Sequence, residues 1–185
     1  TGQELPKEFD WREQPNVELS PVVNQGVCGN CWAISATQSF TDRWRIKLKK
    51  TKVNGENLIF NVLPTTICVP SAEGTNGCAG GWPEQCNPFF VSKGAVLASS
   101  SDYPQWGEYC DNVGDCCSNC IDNEINMSTF PDINCSNTST DFKAIGQETS
   151  STVINADNSV NSEATIFNIK TDIMTNGPIV GKYLV

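Results

Sequence analysis

Residues 28–32 read Cys-Gly-Asn-Cys-Trp and run straight into a stretch with helical periodicity. Ala33, Ala36, Phe40, Trp44 and Leu48 recur three or four apart, which places them on one face of a helix over 31–50. Asn30 is suited to the N-cap because its side-chain oxygen can accept from an amide of the first turn. Lys47, Lys49 and Lys50 gather at the other end, where cations complement the helix dipole. The pattern therefore sets a thiol, Cys31, at a helix start, where the partial positive charge favours an anionic sulfur as nucleophile. Gln25 lies six residues upstream. Its amide and the Cys31 backbone N–H together form a donor pair for an oxyanion, and removing one such donor lowers rates by roughly 10²–10³.

Composition narrows what such a thiol can serve. The 185 residues suffice for a sizeable core, and a net charge of -9 leaves no basic footprint for nucleic acid. No apolar run approaches the ~20 residues of a membrane span. Ten cysteines point to disulfides and an oxidising, secreted or lysosome-like compartment that suits an acidic protein. Sequons at Asn126, Asn134 and Asn137 agree with that compartment. No leader is visible, and Thr1 reads as the start of a processed chain.

Further motifs surround the thiol. The chain opens Leu5-Pro6-Lys7-Glu8-Phe9-Asp10-Trp11-Arg12, with Trp11 expected in the core, and approaches Gln25 through Pro21-Val22-Val23-Asn24. Residues 51–55 read as a polar turn and 59–69 as an apolar segment. Gly77-Cys78-Ala79-Gly80-Gly81-Trp82-Pro83 follows. Paired glycines are ordinary turn formers, yet they also let an extended peptide lie against bare backbone and exchange main-chain hydrogen bonds. Pro83 suits a first helical turn, while Pro88 predicts a kinked or broken helix over 84–93. Tyr103-Pro104 and Tyr109-Cys110 come next. After an Asn- and Ser-rich stretch over 121–162, Ile166, Ile169 and Ile173 mark a helix capped by Ser162 and ending at Asn176-Gly177-Pro178. Residues 179–185 then begin a strand.

These segments resemble the papain-like cysteine proteases, whose nucleophile signature is Cys-Gly-[Ser/Ala]-Cys-[Trp/Tyr]. Asn30 departs from that pattern. The resemblance implies an α+β fold with a complete helical left domain and a β-rich right domain only partly present. Residues 1–120 are then mostly left domain, with the nucleophile helix 31–50 and a cysteine-rich insert. Residues 121–185 hold the polar excursion and the start of an incomplete right domain. It also implies Cys31 as nucleophile, Gln25 as oxyanion donor, and Gly80, Gly81, Trp82 and Pro83 along the substrate cleft. Cys28 is paired with Cys78, and Cys68 with Cys110, by the same resemblance. The cysteine-rich part from Cys110 onward is most similar to the cathepsin X branch, with cathepsins B and C as relatives. Setting Cys31 aside leaves nine cysteines, so one is free or bonded outside this chain, and the pairing of Cys86, Cys116, Cys117, Cys120 and Cys135 stays open.

Two other chemistries fit less of the sequence. A zinc site needs four ligands, and Cys117-Ser118-Asn119-Cys120 has no second Cys-x-x-Cys except residues 28–31. No cofactor or metal is expected. A thioredoxin-like reading of Cys28 and Cys31 leaves the glycine motif without a role, and a fixed link from Cys28 to Cys78 excludes it.

The chain contains no histidine. A papain-like peptidase needs an imidazole beside the thiolate, about 130–150 residues past the nucleophile in the family. Two readings remain. In one, this is the heavy chain or N-terminal part of a peptidase, and a second chain or missing segment brings His and Asn. It then hydrolyses peptide or protein substrates through an acyl-enzyme on Cys31, as an endopeptidase by default. In the other, it is an inactive relative that binds peptides or assembles with partners.

Overall fold

The structure, a computed structural model, describes residues 4–26, 28–48, 52–53, 56–69, 77–101, 120–121, 124–125, 135, 142 and 163–181. Four α-helices are seen among them: α1 (Cys31–Leu48), α2 (Val62–Cys68), α3 (Cys86–Ser92) and α4 (Glu163–Asn176). Single 3₁₀ turns form at Trp11–Glu13, Gly77–Ala79 and Pro83–Gln85. Two antiparallel two-residue pairs complete the set, β1 (Lys52–Val53) with β2 (Glu56–Asn57) and β3 (Cys120–Ile121) with β4 (Glu124–Ile125).

α1 is the central element, and its burial exceeds the single stripe read from sequence. Ala33 and Ala36 are buried among Trp32, Leu58, Phe60, Phe89, Phe90 and Ala95, and Phe40, Trp44 and Leu48 pack partly buried on the same cluster. Phe40 stacks on Phe90 with ring centroids 4.5 Å apart and planes 3° from parallel. Another face of α1 carries Ile34 into a second cluster with Cys28, Val62, Leu63 and Cys78. A third contact is polar: Thr37 Oγ1 donates to Thr65 Oγ1 of α2 at 3.0 Å, and Thr41 Oγ1 donates back to Thr37 O at 2.8 Å. Each fully buried Leu contributes about 1.5–3 kcal/mol, whereas a buried hydroxyl is tolerated only when bonded, as these are. The Thr37–Thr65 hydroxyl pair fixes one turn of α2 against one turn of α1.

The 84–93 expectation resolves into the Pro83–Gln85 turn followed by α3. Pro88 falls in the first turn of α3, where a missing N–H removes no helical hydrogen bond. The 59–69 stretch divides in two. Its start pairs antiparallel with 96–98, through the Phe60–Leu97 bridge and the bonds Asn61 N to Val96 O and Ala98 N to Ile59 O. Its remainder is α2, which Asn61 caps by accepting from Leu63 N.

Four sequence expectations change. Trp11 is half-buried in a 3₁₀ turn, not in the core, because its indole N–H is drawn to Ile173 O of α4 at 2.7 Å. Cys68 is bonded to Cys135, Cα atoms 5.3 Å apart, and so not to Cys110. Phe142, seven residues after Cys135, packs edge-on to Trp44, and its carbonyl accepts from Ala95 N at 2.9 Å. Of the strand expected over 179–185, residues 179–181 make no strand among the described residues and 182–185 lie outside them; Pro178 O accepts from Ser39 Oγ and the Arg43 guanidinium of α1. The Asn30 side chain caps nothing, as described below. Cys110, Cys116, Cys117, Tyr103, Pro104, Ser162 and the three sequon asparagines lie outside the described residues.

α4 is tied to α1 by charge. Arg43 forms a two-pronged pair with Asp172, at 3.0 and 3.2 Å. Burial alone would raise the Asp172 carboxyl, but hydrogen bonds from Arg43 and Asn176 and the Arg43 charge outweigh it and hold the group below the ordinary 3.8. No described helix is long and apolar enough to cross a membrane.

Candidate active site

Cys31 is the first residue of α1, exposed and unbonded. Asn30 O accepts from Ala33 N at 2.9 Å and Ile34 N at 3.0 Å, so the N–H groups of Cys31 and Trp32 have no acceptor within the helix. An anionic oxygen is the natural occupant of such a position.

The Asn30 side chain turns away from that end. It is fully buried, and Nδ2 donates to Thr66 Oγ1 at 3.0 Å, whose hydroxyl donates on to Val62 O. Oδ1 is left buried without a partner. The residue that sequence assigns to a cap thus serves as a strut from the start of α1 to α2. Its signal was the Thr65-Thr66 pair, which supplies hydroxyls at one level of α2.

Residues on either side of Cys31 hold the 77–81 segment. Cys28 is bonded to Cys78, Cα atoms 4.6 Å apart, and Gly29 N donates to Cys78 O at 2.9 Å. On the other side Trp32 Nε1 donates to Gly77 O at 3.1 Å. With Cys28 committed to Cys78, Cys31 has no cysteine partner in its own motif, and two-electron cycling between residues 28 and 31 is excluded.

The two glycines do different things. Gly81 lies against the Trp32 indole, where a Cβ would meet Cδ2 at 2.5 Å. Gly80 has φ +118° and nothing within 4 Å of its Cβ position. Of the two, Gly80 is the one that presents bare backbone to open space. Trp82 is exposed and Pro83 half-buried at the start of the following turn.

Gln25 is half-buried, and its carbonyl accepts from Cys28 N at 3.3 Å in a tight turn. Sequence reasoning left the pairing of Cys86 open, and the structure leaves it unbonded. It is buried in the main cluster, and desolvation, with the nearby Glu84 charge, pushes its thiol up to about 12. This second free thiol is buried where Cys31 is open.

The sequence model of papain family cysteine proteases matches residues 5–183. The chain belongs to the papain family of cysteine proteases. Among similar proteins are the oryzain beta chain of Oryza sativa subsp. japonica, 35% identical over 103 residues, and mouse cathepsin W, 34% identical over 110. Mouse pro-cathepsin H is 32% identical over 103 residues. These matches cover 55%, 58% and 56% of this chain but 20%, 26% and 28% of those relatives. The papain-family chain therefore spans well under half the length of the curated relatives it matches.

Proposed function

We propose that this papain-family chain supplies the nucleophile half of a thiol peptidase. Cys31 Sγ attacks the carbonyl carbon of a peptide bond, and the oxygen takes the negative charge facing the Cys31 N–H and the Gln25 side-chain amide. The carbonyl re-forms as the amine leaves with a proton from an imidazolium, giving a thioester on Cys31. Water, deprotonated by the same imidazole, then releases the acid and the free thiol. The peptide lies extended along Gly80, with Trp82 and Pro83 beside its second residue before the cleaved bond. The imidazole and its Asn come from polypeptide outside these 185 residues, which hold no histidine, in a heavy-chain or N-terminal-part arrangement. In this reading residues 1–120 are mostly left domain, residues 121–185 start the right one, and the protein works in a secreted or lysosomal setting.

The observation that carries the proposal is the division between the cysteines. Cys28 is locked to Cys78, while Cys31, three residues on, stays free and exposed at the helix start. A peptidyl epoxide that alkylates active-site thiols, given to the natural protein, is expected to form its adduct on Cys31. Intact-mass measurement of the same material should find a fragment or extension containing His and Asn. A folded, histidine-free species of 185 residues that takes no adduct would favour the alternative, an inactive family member that captures peptides or assembles with partners. The absence of histidine from this chain is what supports that second reading.

A further inference from the structure

The segment that delivers Gln25 is fastened to α1 by three side chains spaced along one helical face. Gln38 Nε2 donates to Pro21 O at 2.6 Å. Asp42 Oδ1 accepts from Ser20 N at 2.6 Å. Arg45 Nε donates to Glu18 O, and its Nη2 stands 3.7 Å from the Glu18 carboxylate. Residues 38, 42 and 45 follow the i, i+4, i+7 pattern of a single face. They meet 21, 20 and 18 in reverse order, so helix and segment run antiparallel.

The spacing closes as a register. Seven helical residues rise about 10 Å, and three extended residues span about the same. A slip of one residue would displace the segment by about 3.3 Å and break all three contacts. From Pro21 the four residues to Gln25 cover about 13 Å, and the seven helical residues from Gln38 back to Cys31 about 10 Å. Registering the segment on this face therefore gives the stretch to Gln25 reach enough to bring its side chain to Cys31. Beyond Gln25, the Gln25 O to Cys28 N turn and the Cys28 link to Cys78 fix the other end.

Two of the three side chains sit at unusual depth. Arg45 is 2% and Asp42 9% exposed, a burial that charged groups tolerate only with fixed partners. Arg45 completes its set by donating to Leu58 O at 2.9 Å. Segment 18–21 thus receives side-chain hydrogen bonds where a neighbouring strand would otherwise pair with it.

We infer that Gln38, Asp42 and Arg45 are positioning residues that set the register of Gln25 against Cys31, and so the geometry of the oxyanion site. This rests on the proposed role of Gln25 as an oxyanion donor. A donor displaced by about 1 Å forfeits up to about 100-fold in transition-state binding.

A peptide aldehyde tests it in the complete natural protein. The Cys31 sulfur adds to its carbonyl carbon, and the new oxygen occupies the oxyanion position. Methyl methanethiosulfonate, which caps the same sulfur without a tetrahedral carbon, serves as the control. Asp42→Ala and Gln38→Ala are expected to weaken aldehyde binding about 10- to 100-fold, with methanethiosulfonate labelling of Cys31 unchanged. Asp42→Asn, which keeps an oxygen acceptor for Ser20 N–H, should bind the aldehyde like the parent. The double variant Gln25→Ala/Asp42→Ala should be no weaker than Gln25→Ala alone, because the face acts through Gln25. Gln38→Ala loses only a partly exposed contact, so it keeps the test open if Asp42→Ala fails to fold. Full aldehyde affinity in Gln38→Ala and Asp42→Ala, or additive losses in the double variant, overturns the inference. If Gln25→Ala itself binds the aldehyde normally, the oxyanion reading fails first and the positioning role falls with it.

Discussion

Gly81 has no side chain because Trp32 occupies the place: the indole Cδ2 and Cε2 stand 2.5 and 2.6 Å from where its Cβ would be. Trp32, the residue after Cys31, thereby dictates the residue after Gly80, and the 77–81 segment is registered on α1 by contact.

Gly81→Ala is expected to destabilise the fold by about 1–3 kcal/mol, the usual penalty for forcing an extra carbon into a packed site. Gly80→Ala meets no atom, but its φ of +118° strains any residue with a Cβ, by about 1–3 kcal/mol. Repacking separates the two. A second change, Trp32→Leu, should rescue Gly81→Ala but not Gly80→Ala in urea unfolding. Equal rescue of both would refute the assignment.

Two carboxylates, Asp172 half-buried and Asp42 buried, should tilt the pH dependence of stability in opposite directions. Asp172 is held below 3.8 in the native state, so the unfolded chain binds more protons there. Its contribution is full above 3.8 and is lost as pH falls through the native value. Asp42 is raised above 3.8, first by burial, against the opposing Ser20 hydrogen bond and Arg45 charge. The native state then binds more protons, and stability falls as pH rises through the window above 3.8. Asp172→Asn should flatten the acid limb, and Asp42→Asn the decline above 3.8, in urea midpoints taken from pH 2 to about 6. Unchanged slopes would remove these groups from the account.

Thiol labelling should separate the two free cysteines. With its thiol pushed up to about 12, Cys86 is ionised to only about one part in 10⁴ at pH 8, and it is buried besides. Iodoacetamide on the native protein is expected to modify Cys31 and leave Cys86 intact, as read by peptide mapping, with Cys86 reacting once urea unfolds the chain. Equal native reactivity would contradict its burial.

Replacing Cys68 and Cys135 by serine opens a link across 67 residues and should lower stability by about 2–4 kcal/mol. Phe142 rests edge-on to Trp44 beside that link, so the tryptophan emission is expected to shift in the same variant before global unfolding. A shift seen only with global unfolding would mean that Phe142 docks without the disulfide.

The helix headed by Cys31, the glycine motif and the helix before Asn176-Gly177-Pro178 were legible because each rests on local rules: a period of 3.6, punctuation by Gly and Pro, and a thiol at a helix start. Trp11, Cys68 and Asn30 were misjudged for a shared reason. Each has its partner far along the chain, in Ile173, Cys135 and Thr66, and local pattern carries no record of distant pairing. Cys86 was left open because burial, not spacing, decides that it stays unbonded.

By itself the sequence determined that a thiol begins a long helix, that a glycine-rich turn accompanies it, and that no imidazole is present in these residues. Tertiary structure decided which cysteine stays free, which glycine faces open space and which helical face registers the Gln25 segment. Periodicity and capping act over a few residues and are written in order along the chain. Disulfide choice, steric exclusion by Trp32 and the antiparallel match of α1 with residues 18–21 exist only once distant segments are packed together.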